Sequence, residues 1–352
     1  MFIKSLKLEN FRNHKNLSLE FNDKGFNVFY GRNGLGKTNV LEAIYVLALT
    51  KSFHSVHPKE LISWGADFFR LKGQITSDRD YEVEFFYQNE PNVKRAIKKS
   101  GINISIKKYL GSILVSFFSP EELNLIYLEP LRRRKYLNIV LSQIYPEYLE
   151  ALMRYEKALI QRNRLLNLIS DNKASVSDLE SWDRELVLYG NRITESRKKF
   201  FKEIFQDMNE FYKKISGGND DLQIKYKFSE NLEKDLKNSL KEDLARRITS
   251  HGAHREDFEF YLNDHLASHF GSRGECRTII LALKLAERNF FKKQMKFSPI
   301  ILLDDVLSEL DHERQNHLLH LISGSQVFLT TSREERDLPD ARNMHKILLG
   351  VV

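Results

Sequence analysis

The sequence predicts an α/β fold: a phosphate-binding loop set in a β-rich head, interrupted by a mostly helical insertion. Three observations carry that expectation. Gly31-Arg32-Asn33-Gly34-Leu35-Gly36-Lys37-Thr38 is a complete G-x-x-x-x-G-K-[ST] loop, Pro299–Asp305 is an apolar run ending in two carboxylates, and residues 120–215 carry almost no alternating β-pattern. A phosphate loop and a carboxylate-tipped strand need one common parallel sheet, so finding both on one chain is more informative than either alone.

The loop stands in the right local context. Phe26-Asn27-Val28-Phe29-Tyr30 reads as a buried strand, and Asn39–Leu47 has the apolar spacing of a helix packed on a sheet. Glycines let backbone N–H groups curl round phosphate oxygens, and a helix N-terminus adds partial positive charge. Lys37 is then expected to reach the β/γ-phosphates, and the Thr38 hydroxyl to ligate Mg²⁺. A plain glycine turn before a helix is the competing account. Strands are also expected at 2–9, 17–21, 69–76, 81–88, 102–106, 112–118 and 222–228, with a helix over 230–248.

With 352 residues the chain has room for two or three domains. No apolar run is long enough for a bilayer helix, and the N-terminus alternates like a strand instead of forming the apolar core of a secretion signal. The single cysteine, Cys276, excludes an intrachain disulfide and a Cys-x-x-Cys metal clip. These features predict a cytoplasmic protein with no membrane segment. The net charge of +7 favours polyanionic partners. Basic residues cluster at Lys94-Arg95 with Lys98-Lys99, Lys107-Lys108, Arg132-Arg133-Arg134-Lys135, Arg197-Lys198-Lys199 and Arg246-Arg247. Such clusters fit a nucleic-acid surface or ordinary solvated helix faces.

In the middle of the chain, Leu152, Tyr155, Leu159, Leu166 and Ile169 form a near-heptad seam interrupted by Arg162. Leu179, Trp182, Leu186, Tyr189, Ile193, Phe200, Ile204, Met208, Phe211 and Ile215 continue it, with Ser196 in one slot. A polar stretch, Ser170–Ser177, separates the two runs, and Gly217-Gly218 ends the second. The economical reading is an antiparallel helical hairpin whose second arm is roughly 55 Å long. Amphipathic helices folded onto a globular core are the alternative.

Asp304 is placed to hold magnesium, and Asp305 to polarise an attacking water. Upstream, Gly271-Ser272-Arg273-Gly274-Glu275 opens an apolar helix, which makes either a second anion-binding loop or a simple serine cap. His251 and His254 lack the further Cys or His partners that a metal site needs.

Taken together these residues resemble the RecF family, bacterial recombination mediators related to the SMC-type ABC ATPases. The matching segments run through most of the chain: Leu6-x-Leu8-x-Asn10-Phe11-Arg12, the phosphate loop through Ile44, Lys51-Ser52-Phe53, Ser119–Leu123, Pro130–Arg134, His251–Arg255, Ser272-Arg273-Gly274, Leu281–Glu287, Leu302–Val306 and Ser308-Glu309-Leu310-Asp311. The resemblance implies an ABC-type, SMC-like P-loop ATPase head with an N-terminal β-rich lobe. It also implies a mostly helical domain carrying a short antiparallel hairpin, where SMC relatives insert hundreds of coiled-coil residues. The head is expected at 1–119 and 249–352, with the helical arm at 120–248.

By the same resemblance, ATP would contact Gly31, Arg32, Asn33, Gly34, Leu35, Gly36, Lys37, Thr38, Asn39 and Arg12. Ser272, Arg273 and Gly274 would reach the ATP of a second copy. Lys37 and Asp305 would serve catalysis, with Thr38 and Asp304 on Mg²⁺. The implied function is an ATP-gated homodimeric clamp on gapped or duplex DNA, hydrolysing slowly as a switch. It would act with RecR and RecO to favour RecA loading, in replication-fork maintenance and the SOS response. A P-loop ATPase of another SMC-like or nuclease-coupled family is the alternative. The chain departs from the family pattern at Glu275 for the usual Gln, Ala253 for Pro, Glu256 for Asp, and Thr330-Thr331 in place of a switch histidine.

Overall fold

A computed structural model describes residues 1–218, 220–310, 312–331 and 344–349. The chain forms two compact units, one of residues 1–122 with 284–352 and one of residues 123–283.

The first unit holds two sheets. One is antiparallel, in the order His14–Glu20, Phe2–Phe11, Phe68–Thr76, Asp80–Gln88, Lys94–Lys99, Ile102–Asn103. The other has five parallel strands in the order Met344–Leu348, Gly25–Tyr30, Gln326–Thr330, Ile300–Asp304, Val115–Phe118. The helix Lys37–Leu49 contacts strands of both sheets. That position explains its sequence. Eleven of its thirteen residues are buried, so it has no polar face of the kind a surface helix carries.

Lys94–Lys99 is a strand, although its composition reads as a basic cluster. Its side chains are accommodated one by one: Arg95 lies over the Phe85 ring, Lys99 over Tyr81, and Lys98 pairs with Glu84. The expected strand at 102–106 shortens to Ile102–Asn103, because Ile106–Tyr109 turns into a helix.

The second unit is mainly helical. Pro146–Ser170 and Glu180–Ser216 are the two arms of the expected hairpin, the second 37 residues long and ended by Gly217 at φ +67°. The heptad seam is its core: Leu186, Ile193, Phe200, Ile204, Met208 and Ile215 are buried, and Trp182 and Tyr189 half-buried. Arg162, which interrupts the seam, is fully buried and bonds Asp183 and Asp243 at 2.6 Å each and Thr249 at 3.0 Å. The helix expected over 230–248 breaks at Ser239 into Leu232–Asn238 and Leu240–Arg246.

The sequence reading returns to the head at residue 249, whereas the compact division falls at Lys284, inside the helix Arg273–Met295. The reason is a strand that the sequence reading did not include, Asp257–Leu262, whose apolar residues alternate. Asp257–Leu262 pairs antiparallel with Leu222–Lys227, and neighbouring Glu256 accepts hydrogen bonds from buried Arg197 at 2.5 Å and from Thr194 and Tyr226. Residues 249–283 are thereby tied to the helical unit.

Candidate functional site

The parallel sheet brings the two halves of the phosphate site together. Gly25–Tyr30 leads into the loop, Ile300–Asp304 ends in the carboxylates, and Gln326–Thr330 runs between them. Because the strands are parallel, their C-terminal ends open on one edge. Thr38 Oγ1 donates to Asp304 Oδ1 at 2.8 Å, and Thr330 Oγ1 donates to the same oxygen at 2.7 Å. The Asp305 backbone N–H donates to Thr330 Oγ1 at 3.0 Å. Asp305 itself is exposed and holds a left-handed backbone at φ +52°.

Above this edge, Lys37 Nζ donates to the Gly31 and Arg32 carbonyls at 2.6 and 2.9 Å, which holds the ammonium over the loop. Burial lowers the Lys37 pKa from its ordinary value, against the opposing pull of Asp305 and Asp304. Arg32, Asn33 and Gly34 are exposed, and Leu35 and Asn39 half-exposed, so the rim of the loop faces solvent.

A hydroxyl beside a carboxylate, next to a lysine and a loop of backbone amides, is the donor set that magnesium triphosphate requires. Mg²⁺ takes only one or two protein oxygens and completes its shell with water and phosphate. Thr38 and Asp304 fit that requirement. Among the described residues no group of three or more His, Cys, Asp or Glu is placed to hold a metal alone.

Arg12 is tied to the helix that follows the loop. Its guanidinium bonds both oxygens of fully buried Glu42 at 2.7 and 2.8 Å, with further bonds to Ser55 Oγ at 2.5 Å and the Glu60 carbonyl at 3.0 Å. The arginine expected to contact nucleotide thus fastens the hairpin turn to the helix.

In the second unit, Ser272 and Arg273 are exposed at the start of Arg273–Met295. Ser272 Oγ accepts the Glu275 N–H at 3.3 Å, and Glu275 Oε2 accepts the Ser272 N–H at 2.7 Å. This reciprocal pair is a capping box, so Glu275 sets a negative charge at the helix N-terminus beside Gly274. In the segment after the carboxylates, Ser308 Oγ donates to the Asp305 carbonyl at 2.7 Å, and Asp311 lies outside the described residues.

Known proteins share this fold. Residues 2–349 match the model of the RecF/RecN/SMC N terminal domain family. The chain is 38% identical over 359 residues to the DNA replication and repair protein RecF of Lachnoclostridium phytofermentans, covering 100% of this chain and 99% of that one. The chain belongs to the RecF family. A Thermoanaerobacter RecF is 39% identical over 353 residues, with 96% of each chain covered. The solved structure of the recombination mediator protein RecF with ATP in the RecFOR pathway superposes with a TM-score of 0.91 at 34% identity, over 99% of this chain and 96% of that one. An Smc head bound to the C-winged helix domain of ScpA shares the fold alone, with a TM-score of 0.55 at 16% identity over 95% of this chain and 90% of that one. The fold is that of an SMC-like ABC-type ATPase.

Within this RecF-family chain part of the basic clusters is paired locally with acidic side chains. Arg133 is buried on Asp257, Arg197 on Glu256, and Lys198 pairs with Glu195. Arg246 and Arg247 pair with Glu242 and Asp171. His254 is structural: Tyr155 OH bonds its Nδ1 at 2.7 Å and its Nε2 meets the Thr249 carbonyl at 3.0 Å, while burial pushes its pKa down to about 4.

Sequence reasoning missed Thr330, Asn13, His14 and Glu42. The apolar run Gln326–Leu329 before Thr330 reads as a strand, but its place between the other two depends on sheet order, which spacing does not encode.

Proposed function

We propose that this chain is an ATP-gated DNA-binding switch of recombinational repair, acting as a homodimer that closes on gapped or duplex DNA. The observation that carries the reading is the joined site, in which the end of the phosphate loop bonds the carboxylate at the end of a distant strand. The relatives' names, which speak of DNA replication and repair and of RecF with ATP, support the choice of nucleotide and of DNA.

In this reading the amides of Gly31–Thr38 and the Lys37 ammonium bind the triphosphate of ATP, and Thr38 with Asp304 holds Mg²⁺. When bound, the ion neutralises charge on the β/γ-phosphates. Asp305 orients the attacking water. As a short carboxylate on an exposed turn it gives slow turnover, suited to a switch. Ser272, Arg273 and Gly274 present a helix N-terminus to the ATP of the second copy. With RecR and RecO as partners, the closed dimer would favour RecA loading at single-strand gaps, in replication-fork maintenance and the SOS response.

Fluorescence anisotropy on a gapped duplex tests this reading. Affinity should be higher with ATP than with ADP for the wild type and should not respond to ATP in Lys37→Met. Equal affinity with ATP, ADP and no nucleotide would remove the gating.

A further inference from the structure

The turn between the first two strands meets the loop helix at three successive levels. Arg12, Asn13 and His14 are consecutive, and they bond Glu42, Asn39 and Gly36, each three residues from the next. Arg12 Nε donates to Glu42 at 2.7 Å, Asn13 Oδ1 accepts from Asn39 Nδ2 at 2.8 Å, and His14 Nε2 lies 3.2 Å from the Gly36 carbonyl oxygen. The turn also closes on Gly36 sterically. Gly36 has φ +86°, and a Cβ there would stand 2.5 Å from both Asn13 Oδ1 and His14 Nε2.

His14 is buried, at 2% exposure. A carbonyl oxygen only accepts, so Nε2 carries the proton; Nδ1 is buried with no hydrogen-bond partner among the described residues. Burial lowers the imidazole pKa, with the Gly36 carbonyl acting in the opposite sense.

The Gly36 oxygen also accepts the Val40 N–H at 3.1 Å. The peptide joining Gly36 to Lys37 is planar and trans, so its carbonyl and the Lys37 N–H point in opposite directions. Holding the oxygen therefore aims the amide. Lys37 N–H is one of the donors at the helix N-terminus that a bound phosphate uses.

We propose that His14 is a positioning residue of the nucleotide site: its Nε2–H, with Asn13 packed on the same glycine, fixes the Gly36–Lys37 peptide so that the Lys37 amide faces the phosphate cradle. The proposal rests on the nucleotide reading above.

The test compares His14→Phe, which keeps a ring but loses the donor, with His14→Gln, whose amide N–H reaches the place of Nε2. Two quantities are read: hydrogen exchange of the amides 34–38 without nucleotide, and ATP affinity by calorimetry. His14→Phe should exchange faster at these amides and bind ATP about fivefold to tenfold more weakly, the scale of one net hydrogen bond. His14→Gln should restore both, and exchange in the strand Ile300–Asp304 should stay unchanged in each. If His14→Phe does not fold, His14→Asn, too short to reach Gly36, replaces it in the same comparison. A wild type that binds ATP, beside a donor-free variant with unchanged exchange and affinity, overturns the positioning role alone. A wild type that binds no ATP overturns the nucleotide reading and this proposal with it.

Discussion

The Thr38 hydroxyl donates to Asp304 at 2.8 Å across 266 positions of sequence. The chain segment between them contains the whole helical unit, so the bond exists only because the parallel sheet sets strand Gln326–Thr330 beside both partners. Thr330 completes the cluster by donating to the same carboxylate oxygen and accepting the Asp305 N–H. Through Thr330 the Asp305 backbone is thus anchored to the Asp304 carboxylate.

The proposed roles predict that binding and turnover can be separated. Asp305→Asn leaves Thr38, Asp304 and Lys37 in place, so ATP affinity should stay within about twofold of wild type while hydrolysis falls by about a hundredfold, within the range for a lost general base. Equilibrium binding and single-turnover hydrolysis read the two quantities. A variant that hydrolyses like wild type would remove Asp305 from the chemistry.

Glu275 should oppose dimer closure. Its carboxylate caps Ser272, placing negative charge where a partner's triphosphate would approach. Glu275→Gln keeps the reciprocal cap, since glutamine serves the same role, and removes the charge. ATP-dependent association should strengthen about twofold to fivefold, matching the worth of a charge at a helix end. Ser272→Arg should block association while leaving the loop's own ATP affinity near normal. Weaker association in Glu275→Gln would place the N-terminus away from phosphate.

Breaking the Arg197–Glu256 pair should be costly. Both groups are buried, and Glu256 also satisfies Thr194 and Tyr226. Glu256→Ala leaves an uncompensated buried guanidinium and should lower unfolding stability by about 3–5 kcal/mol, measured by urea melts. A loss under about 1 kcal/mol would mean the pair is hydrated in solution.

His254 should make the protein acid-sensitive. Its folded pKa lies near 4, below the ordinary value of 6.5. As the pH falls from 6.5 towards 4, the unfolded chain takes up a proton that the folded chain refuses, so stability drops by up to about 1.4 kcal/mol per pH unit. Below 4 the contribution levels off. His254→Gln should flatten this limb in urea melts at pH 6.5 and 4.5; an unchanged slope would assign the acid sensitivity to other groups.

DNA affinity should fall with salt but involve fewer phosphates than the count of basic residues suggests. Lys98, Arg133, Arg197, Lys198, Arg246 and Arg247 all have acidic partners. Each phosphate neutralised contributes about 0.9 to the slope of log affinity against log salt. Arg246→Gln should leave that slope unchanged, and a drop of nearly one unit would put this pair on the DNA.

The sequence made local features legible and non-local ones not. The strand before the loop, the loop itself, the hairpin arms and the carboxylate-tipped strand were readable because each is a contiguous pattern with its own period. The strands Lys94–Lys99 and Asp257–Leu262 were hidden. In the first, charged side chains are absorbed by cross-strand partners such as Glu84; the second is a short run whose pairing with Leu222–Lys227 is non-local. The brace on Gly36 was invisible for another reason. Asn13 and His14 look like ordinary turn residues until the antiparallel sheet folds their hairpin onto the loop helix.

The central claim, that nucleotide at the Lys37 loop gates dimerisation, is met most directly by sedimentation velocity with ATP, with ADP and with neither, in the presence and absence of duplex DNA. The account predicts a dimer with ATP, strengthened by DNA, and a monomer with ADP or without nucleotide; Lys37→Met should remain monomeric throughout. A wild-type chain that binds ATP and sediments as a monomer in every condition would contradict it.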